Sequence, residues 1–254
     1  MKIGILGVGH LAEYLVQGSS KAAVGVEFVL SPRSGDKAAR LAETYRCAVA
    51  ESNQAVVDQC DMVLVCLPAA TGLALLQSLH FRDGQSVCSA MAGASYAALT
   101  EAVAPAEAFC AMMPGFANAF SAGPSLLYPG DAEWEAFLAL LGPVHRFVDR
   151  QAFETAAVFG AMSGASIFLL RHLARWYERQ GLDAMTARRL VAETFRGNAE
   201  VLLQSDLGLD EIAVGVTTPG GITEQLVGVL DQRGALAAWD EAMDAVLARM
   251  VPGR

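Results

Sequence analysis

A chain of 254 residues with 54% hydrophobic and 18% charged side chains can bury a large core, in one domain or two. Its formal net charge of -9 at pH 7 argues against nucleic acid or an anionic membrane as the main partner.

The first predicted element is a strand over Ile3–Leu6, which runs into Gly7-Val8-Gly9-His10-Leu11-Ala12 and a helix to about Ser20. This order of small residues after a strand is the dinucleotide-binding fingerprint. Gly7 allows a tight turn, Gly9 lets backbone amides approach a pyrophosphate, and Ala12 lets the helix lie close on the sheet. The helix start at His10 and Leu11 offers unpaired N–H groups and the positive end of the helix dipole to phosphate. His10 either hydrogen-bonds the cofactor or is solvated at the helix start.

A second strand, Val26–Leu30, is followed by the residues that select the cofactor. A carboxylate there would bind the adenine ribose of NAD. The chain instead reads Leu30-Ser31-Pro32-Arg33-Ser34, with no acid before Asp36. Arg33 offers a planar fork of donors suited to a 2′-phosphate, with Ser31 and Ser34 hydroxyls beside it. The cofactor expected is NADP; the plainer alternative is an Arg33 that snorkels at a surface turn.

Further βα units follow in order: a helix over Gly35–Tyr45, a strand at Cys47–Val49, a small helix after Ser52, and the almost wholly apolar strand Met62–Leu67. Such a strand is covered on both faces of a parallel sheet. Leu67 and Pro68 leave its carboxyl end on the nicotinamide side, before a helix over Ala70–Leu79. Strand Val87–Ala90 leads to Ala92-Gly93-Ala94, a second loop for close backbone approach to the cofactor. A helix over Tyr96–Ala102, strands Ala108–Met112 and Ser125–Tyr128, a helix from the Asp131 cap to about Leu141 and a strand Val144–Val148 complete the series. The rhythm specifies a doubly wound α/β domain over residues 1–150.

From residue 151 to 254 the period is helical: Phe153–Tyr177, Asp183–Gln204, Asp210–Val214, Thr223–Leu230 and Gly234–Met250. The first of these is apolar nearly all round and reads as a deeply buried helix, too short an uncharged run for a bilayer. A domain of about a hundred residues has little material to enclose it, so a partner chain is expected and the protein should be a homodimer. The five cysteines are scattered, with neither metal spacing nor a disulfide framework, which fits a reducing cytoplasm and no bound metal. The opening residues read as strand, leaving no room for a signal peptide.

Two segments suit a small carboxylate substrate. Thr217-Thr218-Pro219-Gly220-Gly221-Ile222-Thr223 makes a tight turn with close backbone access for substrate at Gly220 and Gly221, then a helix whose free amides near Thr223 form an anion seat. Thr223 either donates its hydroxyl to that carboxylate or is a plain N-cap. Ser163-Gly164-Ala165-Ser166 interrupts the long helix with a glycine that costs about 1 kcal/mol against alanine. Close approach of a backbone or ligand would offset that. Ser163 and Ser166 either face substrate or bond back to the preceding turn. Met113-Pro114-Gly115 ends a strand at the same ligand-binding edge.

With these stations in place the chain resembles the pyrroline-5-carboxylate reductase family over almost its whole length. The resemblance rests on residues 7–12, on Pro32-Arg33-Ser34, Met113-Pro114, Ser163-Gly164 and the 217–223 turn. It implies a Rossmann domain followed by a helical dimerisation domain whose dimers interlock, assembled in some members into rings. It implies reduction of a cyclic imine carboxylate to proline with NAD(P)H, with Ser163 and Thr223 at the reacting centre. The chain departs from the family pattern at His10, Leu67, Gly115, Ala165 and Ile222, three of them near the substrate. Two other functions fit the same architecture: an NADP-dependent dehydrogenase of another small acid or carbonyl, and a non-catalytic NADP-binding protein.

Overall fold

The computed structural model describes residues 1–22, 25–33 and 35–251, so Ser34 lies outside the described residues. In chain order the elements are β1 (Lys2–Leu6), α1 (His10–Ser19), β2 (Glu27–Leu30), α2 (Gly35–Tyr45), β3 (Ala48–Val49), α3 (Asn53–Gln59), β4 (Met62–Val65) and α4 (Ala69–Leu76). They continue with β5 (Ser86–Ser89), α5 (Tyr96–Val103), β6 (Glu107–Met112), a short 3-10 helix (Phe116–Phe120), β7 (Ser125–Tyr128), α6 (Ala132–Ala139), β8 (Val144–Arg146) and α7 (Arg150–Ala156). The strands form one sheet in the order β3-β2-β1-β4-β5-β6-β7-β8.

Alternation along the strands explains the layers. In β1, Ile3 and Ile5 join one core with Leu30, Leu64, Leu127 and Phe137, whereas Leu6 joins a second with Val63, Val65, Val87 and Leu99. Both faces are therefore dry, as an apolar parallel strand requires. The chain leaves β1 for β2 on one side and returns to β4 on the other. That reversal opens a crevice at the carboxyl ends of β1 and β4, where such sheets bind ligands.

All the strand pairs are parallel except β6 with β7, which is antiparallel. The 3-10 helix cannot provide the long crossover a parallel return needs, so the chain turns back beside β6. Asp131 caps α6 as the sequence suggests, accepting the Glu133 and Trp134 N–H groups at 3.0 and 2.8 Å.

The chain divides into two compact units, 1–160 with 247–254, and 161–246. The division falls later than 150 because α7 sends Phe153 and the following Ala157 into the core of the first unit. The expected single helix Phe153–Tyr177 is two, α7 and α8 (Phe159–Arg179), separated at Ala157–Val158. The second unit continues with α9 (Ala184–Gln204), α10 (Leu209–Gly215), α11 (Ile222–Gln232) and α12 (Ala235–Met250), whose last turn belongs to the first unit. The expectation that α8 is deeply buried is corrected: no residue of α8 is buried within its own chain. Ile167 and Phe168 are 60% and 64% exposed, and Leu203 of α9 is 80% exposed.

Candidate active site

The fingerprint turn is fixed from two sides. Gly7 has φ +96, and a Cβ there would lie 2.6 Å from Leu67 Cδ2 and 2.7 Å from the Cys66 carbonyl oxygen. Only glycine tolerates both the torsion and the approach. Its N–H donates to Ser31 Oγ at 3.0 Å, and Ser31 is itself buried. Ser31 thus acts on the turn rather than reaching out to a ligand. Leu67, expected to touch cofactor, is the residue pressed against Gly7.

Gly9 differs. It is the N-cap of α1 with no side-chain cap, and a Cβ there would meet nothing within 4 Å. The space above it is open, and the first-turn amides of His10, Leu11 and Ala12 have no partner within the helix. A pyrophosphate fits this seat. Exposed His10 stands at its edge, while Ala12 is fully buried against the sheet. Arg33 is exposed and makes no ion pair among the described residues, which leaves its guanidinium available.

Pro68 is the N-cap of α4 and exposed, as is Ala92. Ala92 and Gly93 line a cavity of about 230 Å³ at the carboxyl ends of β5 and β6, with Ser89, Ser95, Arg150 and Glu154. Ser89 Oγ accepts the Met91 N–H at 3.1 Å and so shapes this loop. Arg150 Nε and Glu154 Oε1 face each other at 3.5 Å. Cys110 also lines the cavity, but burial pushes its thiol up to about 12, so it stays neutral and is no nucleophile.

Gly115 has φ +75 and is buried against α1. Its N–H donates to Asn118 Oδ1 at 3.0 Å, so the glycine expected at the substrate is engaged internally. Asn118 Nδ2 donates to the Gly123 and Leu141 carbonyls at 2.9 and 3.2 Å. This side chain, missed in the sequence, holds the loop after β6 through two partners within five residues and one, Leu141, that only the fold brings near. The loop displays Phe116 beside Tyr14, with ring centroids 4.9 Å apart.

In the second unit Ser166 takes its plainer role, with its hydroxyl donating to the Met162 carbonyl at 2.8 Å. Ser163 is half-buried, and the space a Cβ on Gly164 would enter is empty of its own chain. The compensating close approach expected at Gly164 is therefore not supplied from within the chain. Gly221, not Thr223, is the N-cap of α11, because its extended backbone (φ -83, ψ 168) precedes the first helical residue, Ile222. Thr223 lies in the first turn and its N-cap alternative is removed. Two amides of the turn are engaged: Gly220 N–H donates to Glu224 Oε2 at 2.7 Å and Gly221 N–H to the Thr218 carbonyl at 2.8 Å. The seat comprises the amides of Ile222, Thr223 and Glu224 and the Thr223 hydroxyl.

Residues 151–251 match the family model described as pyrroline-5-carboxylate reductase dimerisation, and residues 2–93 that described as NADP oxidoreductase coenzyme F420-dependent. Similar proteins include the pyrroline-5-carboxylate reductases of Methanosarcina acetivorans, 25% identical over 95% of this chain and 94% of that protein, and of Corynebacterium melassecola, 27% identical over 96% and 95%. The fold matches the crystal structure of the Streptococcus pyogenes pyrroline-5-carboxylate reductase with a TM-score of 0.85 at 24% identity, covering 98% of both chains. It matches the Plasmodium falciparum pyrroline carboxylate reductase with NADP bound at 0.84 and 16% identity, covering 98% of this chain and 97% of that one.

Arg150–Arg179 is long and apolar enough, by length and composition alone, to cross a membrane. Its place within the dimerisation region gives the uncovered apolar surface of α8 a different purpose, and the protein is a homodimer through its helical domain. The α/β unit with its open phosphate seat and the end-to-end likeness to these reductases converge: the helical region matches the pyrroline-5-carboxylate reductase dimerisation family, and the chain as a whole is similar, at low identity, to pyrroline-5-carboxylate reductases.

Proposed function

We propose that the protein is an NADPH-dependent reductase of a small cyclic imine carboxylate, pyrroline-5-carboxylate or a relative. The observation that carries this reading is the fingerprint turn, pinned by Gly7 and open above Gly9, in a chain alignable end to end with pyrroline-5-carboxylate reductases. The residues present fit the cofactor. Amides of the first turn of α1 would hold the pyrophosphate, Arg33 the 2′-phosphate, and the loops at Pro68 and Ala92 the nicotinamide end. When bound, NADPH supplies the hydride, so the protein's task is to bind, orient and exclude water.

The Ile222 and Thr223 amides and the Thr223 hydroxyl would hold the substrate carboxylate, with Ser163 shaping the pocket. An imine that is already protonated needs no strong general acid, so the lack of an acid–base pair among the described residues of these loops fits the chemistry. Five free cysteines agree with a cytoplasmic setting, which we propose on that basis. The test is NADPH oxidation against a panel of small imines and 2-oxo acids. We expect turnover with a cyclic imine carboxylate and proline-type product; no turnover with any member overturns the reading.

A further inference from the structure

The turn before α11 already holds a carboxylate, and it is the chain's own. Glu224 is the third residue of the helix, and its Oε2 reaches back to accept the Gly220 N–H at 2.7 Å. The neighbouring donors are also spent: Gly221 N–H on the Thr218 carbonyl, and the Thr217 hydroxyl on the Ala213 carbonyl at 2.7 Å. What remains for a ligand is the first-turn amides and the Thr223 hydroxyl. A ligand carboxylate placed there would sit beside the Glu224 anion, which is exposed and makes no ion pair among the described residues. Like charges a few ångströms apart disfavour each other, the more so once a closed pocket excludes water.

We propose that Glu224 is a specificity-determining residue: it weakens the grip of this turn on an anionic substrate and shifts preference toward cyclic imines that carry no carboxylate. The inference rests on the reading above that this turn faces the substrate. It deepens that reading, because it assigns a repulsive element to the same seat and so relaxes the carboxylate requirement without removing it. The plainer role is helix capping alone. Glu211 does this at α10, where its Oε2 accepts the Gly208 N–H at 2.8 Å. The two roles differ in whether the charge of Glu224, beyond its acceptor oxygen, matters to a ligand.

Glu224→Gln separates them, because the amide oxygen can still accept the Gly220 N–H while the charge is gone. The full-length dimer loaded with NADP is titrated with proline by calorimetry. In parallel, kcat/KM is measured for pyrroline-5-carboxylate and for pyrroline, the same ring without the carboxylate. We expect E224Q to tighten proline binding about tenfold and to raise the carboxylate-to-plain imine ratio by a similar factor. Glu224→Ala, which removes cap and charge together, should do the same provided its thermal melt remains cooperative. A proline Kd and a substrate ratio unchanged in E224Q overturn the proposal and leave Glu224 a cap. Absence of proline binding in both proteins overturns it as well. Failure of the wild type to reduce either imine would instead defeat the proposed reaction, while the proline titration still decides the role of Glu224.

Discussion

Ser31 Oγ accepts the Gly7 N–H at 3.0 Å and so ties the end of β2 to the turn that follows β1. Ser31 N–H in turn donates to the Ile5 carbonyl at 3.0 Å, which fixes the serine backbone against β1. The phosphate seat is thus held by hydrogen bonds of its own chain. Ser31→Ala removes one buried hydrogen bond, worth about 1 kcal/mol, and is expected to weaken NADPH binding roughly fivefold. Gly7→Ala, which drives a methyl into Leu67 and the Cys66 carbonyl, should abolish binding. Fluorescence titration of NADPH measures both, and a wild-type affinity in either variant would show that the turn is not the seat.

Arg33 carries the choice of cofactor. A charge-assisted bond to the 2′-phosphate is worth about 1.5–3 kcal/mol, or roughly tenfold to over a hundredfold in binding. Arg33→Ala should therefore raise the Kd for NADPH by that factor and leave NADH binding as it was. Measured Kd ratios for the two dinucleotides check this, and an unchanged ratio would assign the arginine to the solvated surface.

Asn118 is fully buried and saturates one donor and two acceptors of the backbone. Asn118→Ala strands all three, and the expected loss of stability is on the order of 3 kcal/mol. Urea unfolding gives the number. A loss below about 0.5 kcal/mol, the scale of a surface change, would mean that the loop after β6 is held by other contacts.

Burial raises the thiols of Cys47, Cys66 and Cys110 from their ordinary value of 9.0 to about 11, 12 and 12. The folded chain holds these protons more tightly than the unfolded chain does. Their contribution to stability is therefore complete below pH 9 and is lost as the pH climbs through 11 and 12. Unfolding midpoints should fall over that window, and less steeply in Cys66→Ala. At neutral pH the native protein should resist alkylation at all three sites; rapid labelling would contradict the burial.

Ile167 and Phe168 stand exposed on α8, on a region matched to a dimerisation family. Replacing both with glutamate puts charge where a partner chain is expected and should yield monomer or insoluble protein. Light scattering on the eluted peak decides between these. A stable dimer of the double variant would move the interface off this part of α8.

The sequence revealed most where function follows from neighbouring residues. The strand before Gly7, the small residues at 7, 9 and 12 and the Asp131 cap each act within one turn of chain, and pattern alone located them. What it hid depends on distance. Nothing near Ser31 announces that its hydroxyl serves Gly7, and Asn118 meets Leu141 only after the fold is formed. The break between α7 and α8 at Ala157–Val158 carries neither glycine nor proline, so an apolar run read as one helix. The direction of β7 was also invisible, because a four-residue strand has the same alternation either way. At α11 the missed feature was local yet ambiguous: Glu224 looks like any helical acid until its reach to Gly220 is seen.

The account turns on two amide seats, one at α1 for the cofactor and one at α11 for a substrate carboxylate. A crystal structure of the dimer with NADP and proline tests this most directly. We expect the pyrophosphate on the His10–Ala12 amides and the proline carboxylate on Ile222 and Thr223. Cofactor bound away from the α1 start, or proline bound away from the α11 start, would contradict it.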